Sequence, residues 1–170
     1  MDTISVKLYS YGYKEVRTYL FASLFIVGNI VLPQLCHLMP QGGLIWLPIY
    51  FFTLIAAYKY GIKVGLLTAV LSPVVNCALF GMPAMAMLPI IIIKSALLAT
   101  FAGLAANHFH RVSLFIIALV VVSYQLVGMG AEWAMSGSFA TAMQDIRLGY
   151  PGILVQIIGG FIVLRYLLRK

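Results

Sequence analysis

The chain has 170 residues, 63% hydrophobic and 9% charged, with eleven Lys and Arg against four Asp and Glu. A soluble domain usually carries about 25% charged residues. A mean hydropathy of +1.04 therefore excludes a water-covered surface and makes lipid the solvent. The apolar runs are long and show no strand-period alternation, which favours helices over a barrel.

The expected fold is an all-α integral membrane protein, a compact single-domain bundle of six transmembrane helices. Helix 1 is placed at about 17–39, helix 2 at about 44–58, helix 3 at about 62–80, helix 4 at about 84–106, helix 5 at about 112–130 and helix 6 at about 149–168. A span needs about 20 residues. Helix 2 is short, so it either crosses a thinned region or draws on the Gln41–Gly43 stretch. Six spans leave almost nothing for loops, so function must come from the bundle and its short connections. No separate soluble domain, low-complexity tract or internal repeat is found.

Basic residues set the expected orientation. Lys7, Lys14, Arg17, Lys59, Lys63, Arg111, Arg165, Arg169 and Lys170 fall at one set of helix ends, and Arg147 alone at the other, with Glu132 and Asp145. By the positive-inside rule both termini are cytoplasmic. The net charge of +7 is then a matter of topology and anionic lipid. Charges scattered over separate loops form no stripe for nucleic acid. The first apolar segment is too long for a cleaved signal peptide and lacks a small-x-small site. Cys36 and Cys77 read as ordinary buried thiols rather than a disulfide. No paired CxxC or His cluster suggests a metal, and no nucleotide-binding or catalytic grouping suggests an enzyme or a resident cofactor.

Several polar residues break the lipid rule. Lys94 lies ten residues from Ala84, about 15 Å along a helix and near midplane, where a charge costs about 2.5–3.5 kcal/mol to insert. It reads as a cation for an anionic ligand group or a proton-relay site; the structural alternative is a lysine that snorkels or meets backbone carbonyls. On either ligand reading, Lys94→Met should keep the fold and raise stability by removing a buried charge. Asn76 lies one turn beyond Pro73 and either donates to ligand or hydrogen-bonds between helices. Gln125 and Tyr124 occupy the outer half of helix 5, with Glu132 and Trp133 where it leaves the membrane. Trp133 and Trp46 are interfacial belt residues taken singly; together with Gln125 and Asn76 they place aromatic faces and polar groups at one outer level, as organic ligands are commonly held. His37, in the first outer loop, either touches ligand or is simply exposed. Gln156 reads as interhelical glue. Small-residue faces at Gly61, Gly65 and Ala69, at Ala99, Ala102, Gly103 and Ala106, and at Gly159 and Gly160 allow close helix packing, within the bundle or against another subunit.

The stretch from Leu47 to Ala106 resembles the substrate-binding (S) components of energy-coupling factor vitamin transporters. The likeness lies in Leu47-Pro48, Tyr60-Gly61-x-x-x-Gly65, Ser72-Pro73, and Gly81-Met82-Pro83 followed by Leu88-Pro89. It covers about 60 of the 170 residues. The resemblance implies a high-affinity binding subunit for a vitamin or similar micronutrient in a prokaryotic plasma membrane. Such a subunit docks on a membrane coupling protein that carries two ATPases. The loops between helices 1–2, 3–4 and 5–6 would close over the ligand, and Lys94 would meet a carboxylate or phosphate on it. Many relatives carry a glutamate where this chain has Lys94. The family's small-xxx-small docking motif on helix 1 is replaced here by Ala22 and Gly28, which are not at that spacing. Alternatives are a stand-alone secondary transporter and a structural subunit of another membrane complex.

Overall fold

The computed structural model describes residues 4–5, 8–9 and 11–168. Lys7, Arg169 and Lys170 of the basic set lie outside the described residues. The chain is all-helical apart from one short strand pair, in which Ile4–Ser5 (β1) runs antiparallel to Arg111–Val112 (β2). That pair was not expected from hydropathy, because two residues carry no periodicity to read.

Among the described residues, five helices are long and apolar enough to cross a membrane: α1 (Val16–Cys36), α4 (Ile62–Phe80), α5 (Leu88–Phe109), α6 (Leu114–Ser136) and α9 (Tyr150–Leu168), of which Tyr150–Leu167 is the apolar part. The expected second span is broken instead. Gly42–Trp46 forms α2, Pro48–Tyr50 a 3-10 turn, and Phe51–Tyr60 α3. Proline lacks an N–H and disfavours helical φ/ψ at the residue before it. Leu47 leaves the helix at a positive φ of 46°, and the helix restarts beyond Pro48. What remains of that span is the most enclosed element of the bundle. Six consecutive residues of α3, Thr53 to Tyr58, are buried, as expected of a helix apolar all round.

Other boundaries move for local reasons. α5 starts at Leu88 rather than Ala84, with Pro89 in its first turn, where a missing N–H costs nothing. α6 runs six residues past the expected Gly130, to Ser136, and ends on Gly137 in the left-handed region. Glu132 and Trp133 therefore stand on its last turns, and His37 caps α1 instead of lying in a free loop. Two short helices, Phe139–Ala142 (α7) and Gln144–Arg147 (α8), fill the connection to α9.

The small-residue faces are used inside the bundle. Ala69, Ala99, Ala102 and Ala106 are buried. A Cβ on Gly65 would come 2.4 Å from the Cβ of Ala57, and one on Gly103 would come 2.2 Å from Ile62 Cγ1. These contacts draw α3, α4 and α5 to near backbone contact. Ala22 and Gly28 also face inward: Ala22 is buried, and a Cβ on Gly28 would press on the Phe52 ring at 2.9 Å. This corrects the expectation that they form a partner interface. The outward stripe of α1 is Leu20, Leu24, Val27 and Val31.

One end of the bundle gathers described basic residues. Lys59 Nζ donates to the Leu167 carbonyl at 2.8 Å, and Tyr58 Oη donates to the Arg111 carbonyl at 2.7 Å. Stacked rings of Tyr9, Tyr11, Phe21 and Tyr60 cover this end. The opposite end holds Lys94, Glu132 and Asp145. Cys36 and Cys77 are unbonded and partly buried.

Candidate functional site

Lys94 is six residues into α5, so at 1.5 Å per residue it lies about 9 Å from the helix start. The expected depth of 15 Å is corrected by the later start of the helix. α6 runs antiparallel beside α5, and Glu132 is four residues from its end, which puts the two side chains at one level. Lys94 Nζ donates to Glu132 Oε2 in a very short contact and to Asp145 Oδ2, from α8, at 2.7 Å. Lys94 and Glu132 are both buried, at 2% and 6% exposure, and the Asp145 side chain is mostly enclosed. Lys94 is thus not a lone cation. Its charge is matched twice over within the chain, and nothing requires it to seek a carboxylate on another subunit.

Room for the lysine stem comes from Gly128, one turn before Glu132 on the same face of α6. A Cβ there would sit 2.8 Å from Lys94 Cγ. The side chain has nowhere to retreat, because Lys94 is held at its tip by two carboxylates. Gly128→Val should therefore cost about 1–3 kcal/mol through overpacking. Chemical unfolding in detergent reads the loss, and Gly130→Val is the matched control, since nothing lies within 4 Å of a Cβ at Gly130.

Two cavities adjoin at this end and share Gly43, Ile49 and Ile91. One, of about 70 Å³, is bordered by Lys94, Glu132, Asp145 and Tyr50. The other, of about 100 Å³, is bordered by Asn76, Gln34, His37 and Pro83. A water needs about 10–15 Å³ of such space, so each holds several waters or part of a small solute.

The second cavity has an almost wholly apolar surface, and the amide side chains around it are largely enclosed. Asn76 Nδ2 donates to the Asn29 carbonyl at 2.8 Å and the Ser72 carbonyl at 3.1 Å. Two carbonyl acceptors fix the amide's orientation, which leaves Oδ1 the free end. Asn76 is 1% exposed, and its Oδ1 has no hydrogen-bond partner; neither does the buried Nε2 of Gln34. Buried polar atoms are nearly always paired; these two are enclosed by the protein itself rather than open to the cavity. His37 Nδ1 lies 2.7 Å from the Pro33 carbonyl. A carbonyl can only accept, so this nitrogen carries the hydrogen. Behind Asn76, Asn29 donates to Thr53 Oγ1 and Ser72 Oγ at 3.0 and 3.2 Å, which ties α1, α3 and α4 together.

Of the residues singled out in the sequence, the structure brings Lys94, Asn76 and His37 around these joined cavities. It does not bring the other three. Gln125 is buried and donates to Tyr124 Oη at 3.0 Å, and Tyr124 Oη donates in turn to Gln156 Oε1 at 2.8 Å. That network joins α6 to α9, so Gln125 shares the interhelical role expected for Gln156. Trp133 is 54% exposed and packs edge-on against Phe139. Trp46 ends α2 with its backbone against Gly152. Neither tryptophan lines these cavities, which corrects the expectation of an aromatic clamp. Sequence reasoning missed Asp145, Gly128, Gln34 and Tyr50 as site residues. A Gly-x-x-x-Glu spacing on one helix opposite an intramembrane lysine was the available signal for Gly128.

Comparison with protein families, curated proteins and solved structures finds no match. The functional reading therefore rests on the residues and their geometry. Among the described residues no group of three His, Cys, Asp or Glu is placed to hold a metal ion.

Proposed function

We infer that the chain is a membrane-embedded binding subunit for a vitamin or similar micronutrient. In this reading it crosses the membrane six times, the broken α2–α3 segment serving as the second crossing, and both termini are cytoplasmic. It hands the solute to an ATP-driven energy-coupling subunit with two ATPases in a prokaryotic plasma membrane. The observation that carries the reading is that Lys94, the charge buried among apolar helices, borders a cavity rather than the acyl chains. The small cavity volumes, below the about 300–1,000 Å³ of drug-sized sites, suit a small solute.

Purified protein screened by thermal unfolding against a panel of water-soluble vitamins tests the reading. A ligand at 100 times its Kd stabilises by about 2.7 kcal/mol, which for a chain of this size raises Tm by about 5–10 °C. One panel member should produce that rise, and the Gly128→Val protein should show a smaller one. A flat panel would count against a micronutrient-binding role.

A second reading is favoured by one observation, the pair of carboxylates on Lys94. Carboxylates inside a membrane protein are the usual carriers of coupled protons, so a stand-alone proton-coupled transporter would use Glu132 or Asp145. Uptake of the panel ligand by proteoliposomes holding this chain alone would establish that reading. Strict dependence on the ATPase partners would end it.

A further inference from the structure

Arg147 is the one Lys or Arg that the sequence places in a connection away from the basic end, and neither the ion cluster nor the two cavities use it. It lies between α6 and α9, where the short helices α7 and α8 show two faces. On the inner face Ala142 is buried, and Asp145 turns to Lys94 at 2.7 Å. The other face, with Ala140, Thr141, Gln144, Arg147 and Leu148, lines an open groove of about 520 Å³. Among the described residues no carboxylate lines this groove.

Three hydrogen-bond donors on that wall are unspent. The Arg147 guanidinium makes no ion pair or hydrogen bond among the described residues, and the Thr141 hydroxyl and Gln144 amide make no side-chain hydrogen bond there either. Arginine offers its N–H groups in a planar fork that meets phosphate oxygens two at a time, and Gln and Thr each add a donor. The backbone that carries them is held from behind. Ser138 Oγ accepts from Thr141 N at 3.3 Å, and a Cβ on Gly149 would strike the Asp145 and Leu44 carbonyls at 2.5 and 3.0 Å. The donors thus stand on a fixed platform, which lowers the ordering cost of binding.

The groove lies where the helices leave the hydrocarbon. Trp133, on the last turns of α6, packs edge-on against Phe139, and Tyr150 opens α9; all three are exposed. Exposed Trp and Tyr at helix ends mark the headgroup level. At that level the three donors give the groove a polar part, and Ala140 and Leu148 give it an apolar one. A phospholipid divides in the same way at its phosphate–glycerol junction, whereas a soluble anion would use the polar part alone.

We propose that this groove seats the phosphate of a membrane phospholipid: Arg147, Gln144 and Thr141 donate to its oxygens, and its glycerol and upper acyl carbons lie on Leu148 and Ala140. The site is separate from the cavities at Lys94 and does not depend on the micronutrient reading. Because Arg147 shares α8 with Asp145, a seated lipid also steadies the helix that reaches Lys94.

The delipidated full chain in a nonionic detergent is titrated with dioleoylphosphatidylglycerol, with dioleoylglycerol, which keeps the acyl chains and lacks the phosphate, and with inorganic phosphate, and Tm is read. The phospholipid should raise Tm with a saturable midpoint, and the other two should not. Arg147→Gln should raise that midpoint about tenfold or more, the effect of losing a charged hydrogen-bonding partner. Lys14→Gln, which removes an exposed cation at the basic end, should leave it unchanged. Gln144→Leu should shift it in the same direction as Arg147→Gln by less, and it decides the matter if the arginine variant does not fold. Midpoints equal to the parent's in the groove variants, or a matching rise from dioleoylglycerol, overturn the proposal. A full rise from inorganic phosphate alone assigns the groove to a soluble anion and overturns the lipid.

Discussion

Lys94→Met should destabilise the protein by about 3–5 kcal/mol, the usual effect of removing one partner from a buried ion pair. The expectation from sequence was the reverse. It treated the lysine as an isolated buried charge, whose loss relieves a desolvation penalty. The structure shows Lys94 Nζ donating to both Glu132 and Asp145, so methionine would leave two carboxylates close together with no cation between them. Mutual repulsion then adds to desolvation. At about 2–4 °C per kcal/mol for a chain of this length, Tm should fall by about 10 °C. The Lys94→Met/Glu132→Gln/Asp145→Asn triple variant should recover most of that loss, because neutral groups of similar shape replace the whole cluster. Thermal unfolding of the single and triple variants makes the comparison. A Lys94→Met protein as stable as the parent would mean the three groups do not form the cluster.

How far the sequence could be read depended on the range of the signal. The long helices were legible because hydropathy is summed over many residues: α4 falls at the expected 62–80. The break at Leu47 was harder, since Leu47-Pro48 was visible but a proline near a helix start and a proline that interrupts one look alike without the packing around them. Lys94 was identified from its cost in hydrocarbon, an argument that needs no partner. Of its partners, Glu132 was visible as the carboxylate at the end of a span, but Asp145 was not, because it lies 51 residues away in a connection whose two short helices carry no periodic pattern. Asn76 was visible as a polar residue in an apolar run, but the orientation of its amide depends on carbonyls of Asn29 and Ser72 that only the fold brings together. Trp46 and Trp133 were grouped with it on helix level alone. Level does not fix the azimuth of a side chain around its helix, and neither tryptophan lines the cavities.

The second large effect is expected at Gly65. A methyl group there would lie 2.4 Å from the Cβ of Ala57 and 2.8 Å from its Cα. The Cα is backbone, in a helix enclosed on every side, so relief requires α3 and α4 to separate. Gly65→Ala should cost about 2–3 kcal/mol, near the upper end of ordinary overpacking, and Gly65→Leu more than that. Gly130, on α6, provides the contrast, because its Cβ would meet nothing within 4 Å. There the change to alanine only removes the backbone freedom of glycine in a helix, and it should stabilise by about 0.5–1 kcal/mol. Denaturant unfolding in mixed micelles measures both. Opposite signs are required, since the same chemical change meets a wall at one position and open space at the other. The Gly65 variants carry a further consequence. α3 follows directly on the 3-10 turn that bears Ile49 and Tyr50, and both residues border the cavity at Lys94. Pushing α3 away from α4 should therefore loosen that wall and weaken ligand binding, although Gly65 lies on the far side of the bundle from the charged cluster.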